Sequence, residues 1–297
     1  MVGRNLLEHS AASAWNVIAP SSQELNLRDA KATLAFVQHV KPDVIVHAAG
    51  RVGGIQANIA APVDFLITNL DLGRNIVMAA RACGTPRLLN LGSSCMYPRN
   101  AANPLPESAL MQGELEPTNE GYALAKIAVA KLCDYVSRES PELSYKTIVP
   151  CNLYGRYDKF SPGNSHLVPA IIHKIHTAIS QSLTEVEIWG NGTARREFMY
   201  AGDLADAIWR ALESFDSLPD LMNVGVGSDH SVNDYYRIAA EVIGWQGQFV
   251  HDTSKPAGMN QKLMSIEQQT AWGWQPSTSL EDGLKALYAY YLAHATS

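Results

Sequence analysis

The chain has 297 residues, 46% of them apolar and 18% charged, with a formal net charge of −6. That balance suits a packed globular protein rather than a disordered one, and the negative charge, with no block of like charges, excludes an electrostatic footprint for nucleic acid. No charged-then-apolar leader opens the sequence, no stretch approaches the roughly 20 apolar residues that span a bilayer, and four scattered cysteines without a C-x-x-C pair give no disulfide framework or metal site, so a cytoplasmic protein without metal is expected.

Met1, Val2 and Gly3 open directly onto a helical pattern. A dinucleotide fold begins with a strand and a glycine-rich loop whose backbone N–H groups meet a pyrophosphate at a helix N-terminus. Gly3 stands where the last glycine of such a loop would, with the first strand and earlier glycines absent from the sequence. Two readings are open, a start codon assigned too far downstream and a truncated chain. The first is favoured, because a sheet without a central strand leaves backbone groups unpaired.

Residues 15–19 read as a strand, 30–40 as a helix and 43–47 as the next strand. A helix over 63–83, a strand over 87–91, a helix over 122–137 and a strand over 145–150 follow. Strands separated by helices of this length predict an α/β fold, a Rossmann-like doubly wound parallel sheet, with ligands beyond the carboxyl ends of the strands. Beyond residue 155 the pattern loosens into a loop over 161–165, a helix over 169–182, a strand over 186–189, the turn Gly190-Asn191-Gly192, and helices over 232–243 and 279–294. The division expected is a dinucleotide-binding domain over 1–155 and a smaller α/β substrate lobe over 156–297, with 203–226 able to return to the sheet.

Tyr122 and Lys126 stand at i and i+4, which places phenol and ammonium on one helix face. A nearby cation stabilises phenolate and brings the tyrosine toward working pH, which suits proton transfer to a sugar oxygen. Alone, the pair more often marks an ordinary amphipathic helix. Its context is Gly92-Ser93-Ser94-Cys95-Met96-Tyr97-Pro98 at a strand's end, where hydroxyls can bond a substrate oxygen. On composition, Cys95 reads as a small buried hydrophobe, His166 as a solvated histidine and Trp189 as a core residue.

A strand-end serine followed by a helical Tyr-x-x-x-Lys resembles the extended short-chain dehydrogenase/reductase superfamily. Gly53-Gly54-Ile55, Cys95-Met96-Tyr97-Pro98, Glu116-Pro117-Thr118-Asn119-Glu120, Asn152-Leu153-Tyr154-Gly155, Asn164-Ser165-His166 and Arg196-Glu197-Phe198 narrow the resemblance to the GDP-L-fucose synthases, over nearly the whole chain. It implies NADP(H)-dependent 3,5-epimerisation and 4-reduction of GDP-4-keto-6-deoxy-D-mannose, or of a related GDP-4-keto sugar, by a homodimer paired through helices 63–83 and 122–137. It implies a reductase triad of Ser93, Tyr122 and Lys126, with Cys95 and His166 as base and acid of epimerisation. The NADP(H) contacts it implies are Gly3, Asn26 and Leu27, the strand end Leu91, Gly92, Ser93 and Ser94, then Lys126, Pro150, Cys151, Asn152, Leu153 and His166. Lys174, Trp189 and Arg196 fall to the GDP-sugar. The chemistry agrees, since hydrogens flanking a 4-keto group are acidified and a thiolate and an imidazole can remove and return them.

Three departures stand beside the resemblance: the absent glycine loop, no arginine over 20–27 to meet a 2′-phosphate, and Ala257 where the family carries a substrate-contacting Asp. Residues 259–262 and Ser265 also differ from the usual form. A 4,6-dehydratase would carry an acidic pair where Ser94-Cys95 stands. The other alternative is a catalytically impaired nucleotide-sugar-binding protein.

Overall fold

The computed structural model describes residues 1–161, 165–255 and 259–294. Helix α1 (Val2–Glu8) opens the chain, and α2 (Ala30–Val40) begins where the Asp29 carboxylate accepts the N–H groups of Lys31 and Ala32 at 2.9 and 3.0 Å. Strand β1 (Val44–His47) leads through the short α3 (Ile55–Ala60) into α4 (Pro62–Ala82), which starts on a proline and runs to β2 (Arg87–Leu91). Helix α5 (Glu120–Glu139) and β3 (Ser144–Pro150) complete this half.

The expected strand over 15–19 does not form: those five residues are exposed and in no ladder. Apolar alternation makes a strand only when a neighbour accepts its backbone groups, and among the described residues none lies beside this segment. Trp15 instead packs its ring 5.8 Å from Trp209.

After β3 come β4 (Asn152–Tyr154), α6 (Leu167–Ser180), β5 (Glu185–Trp189), β6 (Arg195–Arg196) and β7 (Phe198–Tyr200). Helix α7 (Ala201–Glu213), β8 (Leu221–Val224), β9 (His230–Ser231) and α8 (Val232–Ile243) follow, then β10 (Gln248–Asp252), β11 (Gln261–Lys262), α9 (Glu267–Trp272) and α10 (Leu280–His294). The main sheet has the order β1-β2-β3-β8, all parallel, so Leu91, Pro150 and Val224 end at one rim. This is the α/β parallel sheet the sequence predicts.

Helices α2, α4 and α5 cover one face over Val37, Val77, Leu88, Val129 and Tyr145. The α4–α5 crossing is close because residue 73 is glycine: a Cβ there would lie 2.2 Å from Val129 Cγ2. Leu204 and Ile208 of α7 seal the other face against Leu89, Ile148 and Met222. A second apolar cluster joins α6, α8 and α10 to β5 through Ile172, Ile188, Tyr235 and Leu287. The two regions meet where β4 pairs with β7, and where Glu197, wholly buried, accepts the N–H groups of Val226 at 2.6 Å, Gly227 at 2.8 Å and Met264 at 3.0 Å. Among the described residues no helix is long and apolar enough to cross a membrane, and no cluster of His, Cys, Asp and Glu could hold a metal.

Candidate active site

Strand β2 stops at Leu91, and Gly92 donates its N–H to the Ile148 carbonyl at 2.8 Å, carrying the rim one residue further. Ser93 then caps a single tight turn over Ser94–Met96, its Oγ accepting the Cys95 N–H at 3.5 Å. From α5, Lys126 is 7% exposed and donates to the Leu91 carbonyl at 2.8 Å, which ties the helix to the strand end bearing Ser93. Its ammonium lies 5.9 Å from the centre of the Tyr122 ring, and Ser93 hydrogen-bonds the Tyr122 hydroxyl. Ser93, Cys95, Tyr122 and Lys126, spread over 34 positions of sequence, thus share one pocket end.

The electrostatics differ from the sequence expectation. Burial pushes the Tyr122 phenol well above its ordinary value, with Cys95 adding to the rise and Ser93 opposing it, so the hydroxyl is protonated. Burial likewise pushes the Cys95 thiol up, against the pull of Lys262, Ser93 and Lys126. Lys126 itself is pushed down to about 8 by burial, with Cys95 opposing. The phenol therefore stands ready to give a proton, and the cysteine is a thiol until a further charge or ligand enters.

His166 caps the start of α6 and is half-buried. Its neighbour Ser165 lies against Gly54, Gly53 lies against Phe65, and the Phe65 ring meets Tyr122 edge-on at 6.4 Å. Arg196 joins from β6, with Glu116 and Lys262 among the charges that act on it, while Lys262 and Cys95 act on each other. Trp189 is 46% exposed rather than a core residue, with Lys174 and Lys255 at 5.5 and 5.9 Å from its ring. Lys174 also donates to the Glu187 carbonyl at 2.8 Å. Ala257 and Asn164 lie outside the described residues.

Other expected cofactor contacts are spread along the rim. Cys151 is buried, its thiol pushed well up by burial and by Glu197, and Asn152 Nδ2 donates to the Glu197 carbonyl at 2.9 Å. Pro150 ends β3 and Leu153 packs inward, so these side chains build the rim and leave backbone to any ligand. Leu27 offers its carbonyl to Asn75 at 2.8 Å, and Asn26 accepts the Arg28 N–H at 3.1 Å. Gly3 lies in α1 with open space around it.

These residues fit one end of a dinucleotide. Lys126 keeps N–H groups beyond the one given to Leu91, and a Cβ on Gly50 would lie 3.8 Å from its Nζ, so a ribose can meet bare backbone and an ammonium together. Tyr122 and Ser93 supply donors beside that place. Among the described residues no glycine-rich loop cradles a diphosphate.

Sequence reasoning missed four charged or titratable groups here. His47, at the end of β1, is buried and pushed down to about 3 by burial and by Lys126. Lys262 and Glu116 flank Arg196, and Asp158 faces His166. Lys262 sits on a two-residue strand without periodicity, and only the pairing of β11 with β6 carries it inward.

A family model described as the NAD dependent epimerase/dehydratase family matches residues 1–225. The chain is 50% identical to a GDP-L-colitose synthase of Yersinia pseudotuberculosis over 292 residues, 98% of this chain and 95% of that one. It is 51% identical to a GDP-L-fucose synthase of Azorhizobium caulinodans, covering 98% and 93% of the two chains. Among solved structures, a GDP-D-glycero-L-gluco-heptose synthase of Campylobacter jejuni, crystallised in the presence of NADPH, superposes with a TM-score of 0.88 at 30% identity, over 99% and 95% of the chains.

Proposed function

The chain belongs to the NAD dependent epimerase/dehydratase family, and from that premise we propose that it epimerises a GDP-4-keto-6-deoxy sugar at C3 and C5 and reduces it at C4 with NADPH. The product on this reading is GDP-L-fucose or a close relative. The observation that carries it is the Lys126 bond to the Leu91 carbonyl, which gathers Ser93, Tyr122 and Cys95 at one strand end.

NADPH, when bound, would supply the hydride for the carbonyl carbon. Lys126, with Gly50 beside it, would hold its ribose, and the rim from Leu91 to Ser94 and from Pro150 to Leu153 would line the rest of that end. Ser93 fixes the C4 oxygen, and Tyr122, kept protonated by burial, gives it a proton as negative charge develops. Cys95 withdraws a hydrogen next to the carbonyl and His166 returns one from the opposite face. Lys262 acts on Cys95 against the effect of burial and so favours the thiolate that withdrawal requires. Arg196 and Lys174 serve the diphosphate and its surroundings, and Trp189 offers a ring face to the guanine. Such a substrate and NADPH are metabolites of the cytoplasm, which supports a cytoplasmic enzyme.

The two curated relatives support two substrates equally, and L-colitose is L-fucose without its 3-hydroxyl. Purified protein is to be mixed with NADPH and either GDP-4-keto-6-deoxy-D-mannose or its 3-deoxy counterpart, following cofactor absorbance and identifying the product by NMR. Turnover of the first to GDP-L-fucose supports epimerisation at both carbons; exclusive turnover of the second moves the assignment to 5-epimerisation alone. Oxidation of NADPH with neither would end the reading. The alternative of an impaired binding protein has no support from relatives named as synthases.

Helices α4 and α5 also expose apolar side chains, Val63 and Ile67 on the first and Leu124 and Tyr135 on the second. Two such pairs meeting across a two-fold axis would form a homodimer.

A further inference from the structure

Helix α3, the start of α4 and the start of α5 line a cavity of about 180 Å³ that includes Tyr122. Ile59, Pro62, Phe65 and Pro117 give it apolar walls, and its one charged lining residue, Glu120, is exposed. The two helix starts approach closely because residue 121 is glycine: a Cβ there would lie 2.9 Å from the Pro62 carbonyl oxygen. Cavities that enclose a whole drug-sized ligand run to roughly 300–1,000 Å³, so this one suits an edge of a larger molecule.

Two amides in this lining each have an oxygen to spare. Asn58, 6% exposed, donates through Nδ2 to the Gly53 carbonyl at 2.9 Å and to the Gly54 carbonyl at 3.0 Å. Those bonds fix which way the amide points, because a flipped amide would set its oxygen against two carbonyls. Its Oδ1 is therefore an acceptor, and it is buried without a hydrogen-bond partner among the described residues. Asn119 is the residue before α5, three positions ahead of Tyr122, and its Oδ1 is likewise buried and without a partner there. Native proteins leave few buried acceptors without a donor, so two of them, from separate elements around one cavity, call for a ligand that brings donors.

Donors without charge, set among C–H groups that can lie on apolar walls, are the chemistry of a sugar ring. The keto sugar of the proposed reaction carries ring hydroxyls at C2 and C3, and its 3-deoxy counterpart keeps only the first. C3 is bonded to C4, so a place for its hydroxyl belongs beside the residue that serves the C4 oxygen, and Tyr122 lines this cavity. We infer that Asn58 and Asn119 form a specificity subsite, their free amide oxygens accepting the C2 and C3 hydroxyls, so that the protein prefers the sugar that carries both. The inference rests on the proposed reading of the substrate. A site built to bind a hydroxyl rejects the analogue lacking it, because a buried acceptor is then left unpaired. The bonds from Asn58 to Gly53 and Gly54 set its oxygen in place before the sugar enters, which favours such discrimination.

The readout is the ratio of kcat/KM for GDP-4-keto-6-deoxy-D-mannose to that for its 3-deoxy counterpart, measured on full-length protein with saturating NADPH. The unmodified protein is expected to favour the first sugar at least about tenfold. Asn119→Ala removes an acceptor whose side chain makes no hydrogen bond among the described residues, and it is expected to erase most of that preference while keeping the KM for NADPH. Asn119→Asp, which keeps an acceptor, is expected to retain the preference. Asn58→Ala should also narrow it, with the melting temperature recorded because that variant frees two glycine carbonyls. A ratio in Asn119→Ala equal to that of the unmodified protein overturns the inference, even if both rates fall, since an equal fall marks a purely structural residue. An unmodified protein that favours the 3-deoxy sugar overturns it too. If the unmodified protein turns over neither sugar, the proposed function fails and takes the subsite with it; turnover with an unmoved ratio removes the subsite alone.

Discussion

Tyr122 and Lys126 divide the chemistry of reduction, and their burial fixes how. The phenol is raised and therefore protonated throughout the neutral range, so Tyr122→Phe removes the proton and not the fold. A loss of about 10²- to 10⁴-fold in kcat is expected, with NADPH binding kept, as measured by cofactor absorbance and titration. Lys126 is lowered to about 8, so its ammonium is present below that pH and is lost as pH rises through it. The rate of reduction should then fall above about 8, and Lys126→Arg should move that fall upward in a pH–rate profile. Stability runs the other way. An unfolded lysine holds its proton up to 10.5, so across the window from about 8 to 10.5 the unfolded chain binds more protons and the contribution of Lys126 to stability rises with pH.

Between elements, the structure depends on buried polar latches as much as on apolar faces. Glu197 is the clearest, one carboxylate receiving three backbone N–H groups from the end of β8 and the segment after β11. Glu197→Ala leaves those donors without a partner in the interior, each costing about 1–3 kcal/mol. A destabilisation of at least about 3 kcal/mol is expected in urea unfolding, whereas a change under about 1 kcal/mol would show that water replaces the carboxylate. No periodicity marks Glu197 in the sequence. By contrast α8 was legible to the residue, because Ser231 and Asp234 cap it reciprocally and Gly244, at φ 86°, ends it. The limits of α2 and β2 were legible for similar local reasons. The segment 15–19 was not, since its alternation states what a strand needs on its faces and nothing about a neighbour. In the site, Ser93, Tyr122 and Lys126 were legible as a spaced pattern. Lys262, Glu116 and Asp158 were not, because their nearness to Cys95, Arg196 and His166 comes from pairing between remote segments.

At the scale of the molecule, the helices that shape the site also expose large apolar side chains. Ala123 and Lys126 of α5 face inward, and one step round the helix Leu124, Ala128 and Tyr135 face outward. Along α4, Val63 is 70% and Ile67 44% exposed, beside Leu124 at 45% and Tyr135 at 51%. Helices α4 and α5 pack closely at Gly73, and we propose that these exposed side chains form one band. A band of this kind in contact with water is unfavourable, and a second copy turned by a two-fold axis would cover it with itself. Pairing there would stiffen the helix that carries Tyr122 and Lys126, which links assembly to catalysis. Sedimentation velocity at micromolar concentration is expected to show a dimer, and Ile67→Asp, which buries a charge on the band without touching the core, should give a monomer with unchanged circular dichroism. If the unmodified protein stays monomeric at tens of micromolar, the band has another role and the coupling to catalysis is void. If Ile67→Asp is monomeric yet fully active, the band is an interface and each protomer carries a site independent of its partner.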